Sequence, residues 1–489
     1  MMITSCLFEA HLKCPMKCWL RSQGESGEGN SYAAWVQSQN ETYRSEGIRR
    51  LLEGVPQNEC VTGVRTPESL RSAKWRLAVD LLAQTQGLES RLHVVERVPS
   101  GGRGKPAQFI PIRFVFTNKL SRDDRLLVAF DALTFSEMLG REVSLARIIH
   151  GDDNVSLKVK TSGLMNEVRN RIERMRTLLS GSSPPDLVLN RHCAECEFHL
   201  RCRQKATEKD DLSLLANMSE KERRKYHSKG IFTVTQLSYT FRPRRRPRRM
   251  RDKRERYHHS LKALAIREKK IHVVGSPKLK VEGTPVYLDV EGLPDRDFYY
   301  LIGVRIRHGD SIIQRSLWAD SPEDEKVIWS GFLGMLATVE NPVLLHYGGF
   351  EATFIRRMCQ QYGGPPHDSP PDKAIENSTN LLSVIFSQFY FPTYSNGLKD
   401  VAKCLNFHWC DPTASGTRSV VVRYAWEQSR DPTAKEWLVR YNADDCEALE
   451  IVASTLLRTC RPQGRPGAID SDPSDVVSVE SLKCQTRMA

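Results

Sequence analysis

Two carboxylates two positions apart, Asp289 and Glu291, are the residues of this sequence whose types and spacing best suit chemistry. They lie in segment 286–292, a β-branched and aromatic run after Gly283 and Pro285 that predicts a strand. Alternate side chains of a strand project from one face, so the two acids point together, about 6–7 Å apart along the backbone. In a core such a pair needs a cation, and carboxylate ligands favour Mg²⁺ or Mn²⁺. The alternative is an exposed strand end that carries two ordinary acids.

Two further segments place polar side chains where they could join these acids. Residues 439–456 carry apolar residues at three- and four-residue steps, which predicts a helix with Tyr441 and Asp445 one turn apart on one face. Residues 341–351 indicate a buried strand, a glycine turn and the start of a helix. Glu351 is therefore predicted at a helix N-terminus beyond a strand end, where α/β folds place functional groups.

The order of these residues resembles that of a nuclease family. DEDD-type 3′–5′ exonucleases with the tyrosine form of the third motif have three motifs, which are matched by Asp289-x-Glu291, Phe350-Glu351 and Tyr441-x-x-x-Asp445. Region 284–458 more narrowly resembles the YprB-type ribonuclease H-like domain, through the segments Tyr300-Leu-Ile-Gly303, Gly397-Leu-Lys-Asp400 and Tyr441-Asn-x-x-Asp-Cys446. The sequence departs from the wider family at Glu351, where most members have aspartate.

The resemblance implies hydrolysis of phosphodiester bonds by a two-metal mechanism. Two Mg²⁺ or Mn²⁺ ions about 4 Å apart would be held by Asp289, Glu291, Glu351 and Asp445. One ion would generate hydroxide, the other would stabilise the leaving oxygen, and Tyr441 would orient the attacking water. Lys399 and Asp400 belong to the resembling segments, and we expect them to support the site from outside.

Composition favours a nucleic-acid partner. The chain of 489 residues is long enough for two to four domains, and its 40% hydrophobic fraction is sufficient for cores. Lys and Arg exceed Asp and Glu by 72 to 59, and the resulting charge of +13 attracts polyanions. We expect no transmembrane helix and no secretory signal, and hence a cytoplasmic protein. Thirteen scattered cysteines argue against a disulfide framework and for thiols with a metal site.

Three cysteines within ten residues, Cys193, Cys196 and Cys202, indicate a metal or cluster site. A fourth thiolate could come from Cys14 or Cys18, which would join the two ends of the first domain. Zinc suits four thiolates equally well, and three reduced structural cysteines are the remaining alternative. The arrangement resembles the RecB-like PD-(D/E)XK nucleases that carry an iron–sulfur cluster. By that resemblance Cys14 is the first ligand and a [4Fe–4S] cluster is favoured over zinc.

The rest of the first domain, residues 1–205, follows that fold without its catalytic residues. Strands are predicted at 92–98, 109–116 and 145–150, with a helix at 124–139. Arg113 and Phe114 stand where the family has metal-binding residues, and neither can bind a metal. The nearby acids Glu89, Glu96 and Asp131 are predicted to be surface charges. We interpret the domain as a degenerate restriction-endonuclease-like fold that binds nucleic acid or acts as a structural platform.

Residues 206–270 are predicted to form a small helical linker. A Ser219-x-x-Glu222 capping box and Gly230 indicate two short helices, which resemble a helix–hairpin–helix module or form a plain helical connection. Ten of the fifteen residues from 242 to 256 are Arg or Lys. Such a run is either a solvated tether or a nucleic-acid contact, and we favour the contact. The residues predicted to contact nucleic acid are Arg242, Arg244, Arg245, Arg246, Arg248 and Arg249.

The second large domain, residues 271–462, is predicted as a mixed sheet with helices packed on it. Three leading strands followed by alternating helix and strand have the order of the ribonuclease H-like fold, so the chain as a whole is a multi-domain α/β protein. Trp318, Trp409 and Trp426 are predicted to be packing residues. Residues 463–489 are rich in Pro, Gly, Ser and Asp and are predicted to be disordered.

The sequence therefore predicts a metal-dependent nuclease, specifically a 3′–5′ exonuclease that acts on single-stranded DNA or RNA. The alternative is a non-catalytic nucleic-acid-binding adaptor in which both nuclease folds are degenerate. The sequence predicts no membrane partner and does not indicate whether the protein has protein partners. Glu351 and the missing catalytic residues of the first domain support the alternative.

Overall fold

The computed structural model divides the chain into two compact units, Met1–Cys202 and Arg203–Ala489. The residues that it describes are 1–27, 29–63, 74–99, 107–243, 257–277, 279, 281–460 and 476–482. The first unit ends at Cys202, whereas the predicted first domain ends at residue 205. No helix of the described residues combines the length and the apolar character needed to cross a membrane.

The first unit is built on a mixed sheet. Its strands are β1 (Ile3–Thr4), β2 (Cys60–Thr62), β3 (Leu77–Gln84), β4 (Leu88–Val98), β5 (Gln108–Val115), β6 (Leu145–His150) and β7 (Val155–Lys160). Their order in the described sheet is β2-β3-β4-β5-β6-β7, with β1 beside β4. Only β1·β4, β2·β3 and β5·β6 are parallel pairs within this described sheet. The strands predicted at 92–98, 109–116 and 145–150 are confirmed, whereas β3 was not predicted.

Helices pack against this sheet and against one another, and the last of them extends past Cys202. They are α1 (Ser5–Lys13), α2 (Pro15–Ser22), α3 (Ser31–Glu53), α4 (Arg122–Leu139), α5 (Met165–Ser180) and α6 (His199–Glu208). The predicted helix 124–139 is α4, the crossover between β5 and β6. It starts at a capping box of Ser121 and Asp124 and ends at Gly140, whose φ of 68° suits a residue without a Cβ. Phe130 and Phe135 of α4 are completely buried.

The prediction that Asp131 is a surface charge is wrong. Asp131 lies in α4 and is buried, because Arg113 on β5 donates two hydrogen bonds to its carboxylate at 2.8 and 3.0 Å. Ser90 donates a third at 2.6 Å. A buried carboxylate is tolerated when an opposite charge and hydrogen bonds satisfy it. Glu89 and Glu96 are partly exposed.

The second unit contains a sheet whose described strand order is β11-β10-β9-β12-β13. The strands of this unit are β8 (Ile271–Val273), β9 (Thr284–Leu293), β10 (Phe298–His308), β11 (Ser311–Trp318), β12 (Pro342–His346), β13 (Thr379–Asn380), β14 (Phe389–Tyr390) and β15 (Val476–Ser478). The first three strands of the sheet are antiparallel, and β12 and β13 are parallel to their neighbours. The predicted mixed sheet is therefore confirmed.

The second unit also contains helices, several of which pack on this sheet. They are α7 (Glu220–His227), α8 (Val234–Ser238), α9 (His259–Glu268), α10 (Glu325–Thr338), α11 (Phe350–Tyr362), α12 (Pro370–Glu376), α13 (Leu381–Gln388), α14 (Leu398–Cys404), α15 (Gly416–Ser429) and α16 (Pro432–Cys460). α16 is longer than the predicted segment 439–456. Its apolar face is buried at Leu449, Val452 and Leu456, which follows the predicted three- and four-residue steps.

Residues 206–270 are not a separate linker where the structure describes them. The predicted capping box at Ser219 and the turn at Gly230, with φ of 76°, do form and give α7 and α8. Leu212 and Leu237 are buried in one apolar cluster with Ala263 of α9, and Tyr394 packs against it. This segment therefore joins the second unit, because its short helices bury their apolar residues against that unit.

The predicted disorder of the tail 463–489 is wrong for part of that segment. β15 pairs in parallel with β8, and β14 pairs with the other edge of β8. Val479 is buried beside Leu261 and Tyr390. The polar composition that predicted disorder surrounds a short β-branched segment, Val476-Val477, and this segment completes a small sheet. Residues 463–475 and 483–489 of the predicted tail lie outside the described residues.

Candidate active site

Three of the four predicted metal ligands converge at the middle of the sheet in the second unit. Asp289 and Glu291 lie on β9, and Asp445 lies on α16. One ligand atom from each of these acids lies within 4.8 Å of those of the other two. As predicted, Asp289 and Glu291 therefore share one face of their strand. The helix that carries Asp445 approaches that face, also as predicted. We call these three residues the acidic triad.

Glu351 lies beside the acidic triad without joining it. It occupies the first turn of α11, as predicted, and its side chain is buried. Its Oε2 atom is 3.7 Å from Nδ1 of His346, and neither atom has a hydrogen-bond partner. The charge of Glu351 still raises the pKa of Asp289 and of Glu291, so its carboxylate is close to the triad. Buried polar atoms normally have a hydrogen-bond partner, so these two atoms are available to bind water or an ion.

Burial and mutual repulsion govern the charge state of the triad. Burial, followed by the charges of Asp445, Glu291 and Glu351, raises the pKa of Asp289 well above its usual value. Burial and the charge of Asp445 raise the pKa of Glu291 to about 8. Burial raises the pKa of Asp445 to about 6, although nearby Lys399 lowers it. The triad can therefore be fully ionised at neutral pH only if a positive charge binds to it.

Each acid of the triad is held by a specific donor. Nδ2 of Asn442 donates to Oδ2 of Asp289 at 2.7 Å and to its backbone oxygen at 3.1 Å. The Ser419 hydroxyl donates to Oε2 of Glu291 at 2.8 Å. These bonds fix the carboxylates in place before any ligand arrives, which is how precise metal sites are built.

Trp409 provides the third donor, to Asp445. Its indole Nε1 donates to Oδ1 of Asp445 at 2.7 Å, and both side chains are buried. The prediction that Trp409 is a packing residue is therefore incomplete, because the ring packs on Phe407 and also orients a site carboxylate. Trp318 and Trp426 do pack, edge to face at 4.9 Å.

A glycine on β10 allows Asn442 to reach Asp289. Gly303 is the cross-strand partner of Asp289. A Cβ at Gly303 would lie 1.9 Å from Oδ1 of Asn442, far inside contact distance. This close approach gives a physical reason for the glycine that ends the segment Tyr300-Leu-Ile-Gly303.

Tyr441 lies one turn from Asp445 on α16, as predicted. Its ring is buried and stacks on Trp437 with centroids 5.6 Å apart. Burial, together with the charges of Glu291, Asp445 and Asp289, raises the pKa of its hydroxyl far above the usual value. The phenol therefore remains protonated and can act as a hydrogen-bond donor or acceptor.

α15, which carries Ser419, is anchored by a buried arginine. Arg423 donates to the carbonyl oxygens of Ala319 and Asp320 at 2.9 and 2.8 Å. Its guanidinium also lies over four aromatic rings, at 4.5 to 5.2 Å from their centroids, those of Phe298, Tyr300, Trp318 and Trp426. Cation–π contacts in a desolvated site are strong, so this helix and its serine are firmly positioned.

The donor set of the triad fits hard divalent cations. Carboxylate oxygens at short mutual distance are the ligands that Mg²⁺ and Mn²⁺ prefer. The raised pKa values show that the acids repel one another, and the unsatisfied Oε2 of Glu351 offers a further oxygen nearby. The residues that could hold such cations are Asp289, Glu291 and Asp445, with Glu351 beside them.

The four predicted cysteine ligands line a single cavity of about 1180 Å³ in the first unit. Cys14 lies at the break between α1 and α2, where the extended backbone is the one that Pro15 imposes on its predecessor. Burial and the neighbouring thiols Cys196, Cys14 and Cys193 raise the pKa of Cys202 to about 11. Cys18, the alternative ligand, is instead buried in the apolar cluster of α1 and α4.

Polar contacts hold the two ends of the first unit together beside these thiols. Nδ2 of Asn190 donates to the backbone oxygen of Lys13 at 3.3 Å. Glu197 forms ion pairs with Lys17 at 2.8 Å and with Arg21 at 2.7 Å. The four thiols line one cavity, but among the described residues they do not form a group of ligand atoms within 4.8 Å of one another, as the acidic triad does.

The predicted basic contact is described only at its first residue. Arg242 donates through Nη1 to the backbone oxygens of Tyr239 and Phe241, both at 2.9 Å. The other residues predicted to contact nucleic acid lie outside the described residues, namely Arg244, Arg245, Arg246, Arg248 and Arg249.

Part of the second unit matches the model of a known superfamily. Residues 286–457 match a family model described as the RNase_H superfamily. No curated protein matches the chain. The C-terminal part of the chain is therefore ribonuclease H-like, and such domains are generally nucleases that bind nucleic acid and use divalent metal ions.

Proposed function

We propose that this protein is a metal-dependent 3′–5′ exonuclease that hydrolyses single-stranded nucleic acid. The observation that carries the proposal is the acidic triad, whose ligand atoms lie within 4.8 Å of one another. The match of residues 286–457 to the ribonuclease H superfamily supports a nuclease, and the order of the three motifs supports the DEDD type.

The chain's own residues have distinct roles in this proposal. Asp289, Glu291 and Asp445 hold the divalent cations, with Glu351 as a fourth ligand. When bound, the cations supply Lewis acidity and an activated water molecule. The protonated hydroxyl of Tyr441, next to Asp445, orients the attacking water. Asn442, Ser419 and Trp409 each donate a hydrogen bond to one of these three acids and keep its carboxylate in a fixed geometry. Little reorganisation therefore accompanies the reaction.

The test is degradation of 5′-labelled single-stranded DNA and RNA in the presence of Mn²⁺. We expect a ladder that shortens from the 3′ end, and a block when the 3′ end carries an inverted nucleotide. Glu291→Gln should lower the rate at least about 100-fold, because metal catalysis is worth several kcal/mol and about 1.4 kcal/mol is a factor of ten.

Glu376→Gln is the matched control, since Glu376 is an exposed acid of the same domain. It should degrade the strand at the wild-type rate. Binding of the strand without Mn²⁺-dependent cleavage in the wild type would favour the alternative, a nucleic-acid-binding adaptor. The separation of Glu351 from the triad is the observation that favours this alternative.

For the first unit we propose a degenerate RecB-like nuclease domain that holds a [4Fe–4S] cluster. The support is the shared cavity of Cys14, Cys193, Cys196 and Cys202, together with the parallel β5–β6 pair on either side of α4. Arg113, paired with Asp131, is consistent with a domain that has lost its catalytic residues.

Anaerobic purification tests the cluster. We expect a brown protein with the broad visible absorbance of an iron–sulfur cluster, iron and sulfide in equal amounts, and loss of both in Cys202→Ser. Cys60→Ser, which alters a thiol outside this cavity, should retain them. A colourless protein with one zinc per chain would show that the four thiolates bind zinc instead.

A further inference from the structure

The candidate active site contains a lysine that none of the proposed roles uses. Lys399 lies in the first turn of α14, and its ammonium is 4.6 Å from the ring centroid of Tyr441 and 5.3 Å from that of Trp409. Trp409 donates a hydrogen bond to Asp445, and Tyr441 lies one turn from Asp445 on α16. Lys399 is therefore held against the two aromatic residues that border the acidic triad.

The environment of Lys399 is that of a functional cation. Burial lowers the pKa of Lys399, while the charges of Asp445, Glu291 and Asp289 oppose this shift and attract its ammonium. Nζ also donates a hydrogen bond to the backbone oxygen of Ala414. An ammonium has three donors, so the Ala414 bond leaves donors that can meet a ligand.

The charge balance of the loaded site indicates what that ligand is. This step rests on the proposed function, in which two divalent cations balance four carboxylates. Lys399 then leaves the loaded pocket with one positive charge. A phosphodiester carries one negative charge, so the pocket and its substrate would be neutral together. Phosphoryl transfer also requires positive charge that is already oriented towards the phosphate.

We propose that Lys399 contacts the substrate directly and binds a non-bridging oxygen of the scissile phosphodiester. Tyr441 and Trp409 hold the ammonium by cation–π contacts, which position a charge without neutralising it. Because the two rings hold the ammonium, Lys399 can lie near the acids without a direct ion pair to any of them. Lys399 is then a catalytic residue, and the Ala414 bond fixes the direction from which it approaches.

Equilibrium binding tests the contact separately from hydrolysis. The affinity of a single-stranded oligonucleotide is measured in Ca²⁺ over a range of salt concentrations. Each phosphate contact contributes about 0.7 to the log–log salt slope for a single strand, so Lys399→Gln should lower the slope by about 0.7. Lys399→Arg, which keeps the charge, should restore most of it. Lys403→Gln is the control, because Lys403 is an exposed lysine of the same helix.

A kinetic cycle completes the test in Mn²⁺. Replacing one non-bridging oxygen of the scissile linkage by methyl, as separate stereoisomers, should slow the wild type strongly for one isomer. The same replacement should slow Lys399→Gln much less, because the contact is already lost. Mn²⁺ affinity in Lys399→Gln should be equal to or tighter than that of the wild type.

The outcomes separate the two proposals. An unchanged salt slope and additive kinetic effects would overturn the role of Lys399 even if the wild type degrades the strand. A reduced slope with no cleavage by the wild type would keep the phosphate contact and overturn the exonuclease. Weaker Mn²⁺ binding together with a lower melting temperature in Lys399→Gln would reduce Lys399 to a structural residue.

Discussion

Replacing Asp289 with asparagine is expected to make the protein more heat-stable in EDTA and at the same time to abolish its Mn²⁺-dependent hydrolysis. The side chain keeps its size, so packing is preserved, and the repulsion with Glu291 and Asp445 disappears. A residue that destabilises the fold while it serves a site is typical of functional positions. The measurements are the melting temperature (Tm) in EDTA and the rate of strand degradation in Mn²⁺.

The pH dependence of this effect follows from the direction of the pKa shifts. In the folded protein the pKa values of Asp289, Glu291 and Asp445 are raised, to about 8 for Glu291 and about 6 for Asp445. Unfolded acids titrate near about 4. Between these values the folded state binds more protons than the unfolded state, so stability falls as pH rises.

We therefore expect the Tm of the wild type in EDTA to fall from about pH 5 to pH 8. Mn²⁺ should restore the Tm, and its effect should be largest at pH 8. A change of about 1 kcal/mol moves the Tm of a domain of this size by about 2–4 °C, so the differences are measurable. Asp289→Asn should show a flatter curve and little response to Mn²⁺. Equal pH curves for the two proteins would contradict the repulsion that we infer in the triad.

Replacing Gly303 with alanine is expected to disrupt the acidic triad indirectly, by displacing Asn442. The added Cβ would lie 1.9 Å from Oδ1 of Asn442 and 2.7 Å from its Cγ. Overpacking of this kind costs about 1–3 kcal/mol. Asn442 must move, and Asp289 then loses a donor to its charged carboxylate, a bond worth about 1.5–3 kcal/mol. We expect lower stability to urea and a loss of hydrolysis of at least about tenfold.

A double mutant identifies the cause. Asn442→Ala removes the atoms that the new Cβ would meet, so Gly303→Ala with Asn442→Ala should be more stable than Gly303→Ala alone, while hydrolysis stays low. Gly334→Ala is the control, because a Cβ at Gly334 on α10 has no neighbour within 4 Å. A Gly303→Ala protein with wild-type stability would show that Asn442 is not held as the structure describes.

Local patterns in the sequence predicted the elements that carry the site. The β-branched run around Asp289 gave a strand, and the spacing of Tyr441 and Asp445 placed them on one helix face. Both predictions are confirmed because periodicity depends on neighbours along the chain. The longer extent of α16 was missed, because its first turns lack the strong apolar spacing on which the prediction depended.

The residues that position the acids could not be predicted in this way. Trp409 and Ser419 come from segments between the motifs, and only the folded chain brings them to the triad. Asp131 was misjudged for the same reason, since its partner Arg113 lies on a different element. A charged residue in a sequence gives no sign of whether a distant opposite charge will bury it.

The joining of both ends of the first unit has a consequence during synthesis on the ribosome. Lys13, Lys17 and Arg21 need partners near the end of the unit, as the contacts of Asn190 and Glu197 show. Translation proceeds at about 5–20 residues per second, so the early helices wait roughly 10–40 s for those partners to emerge. During that interval the nascent chain cannot complete the thiol-lined cavity, and any cofactor can be inserted only after the last cysteine has left the exit tunnel.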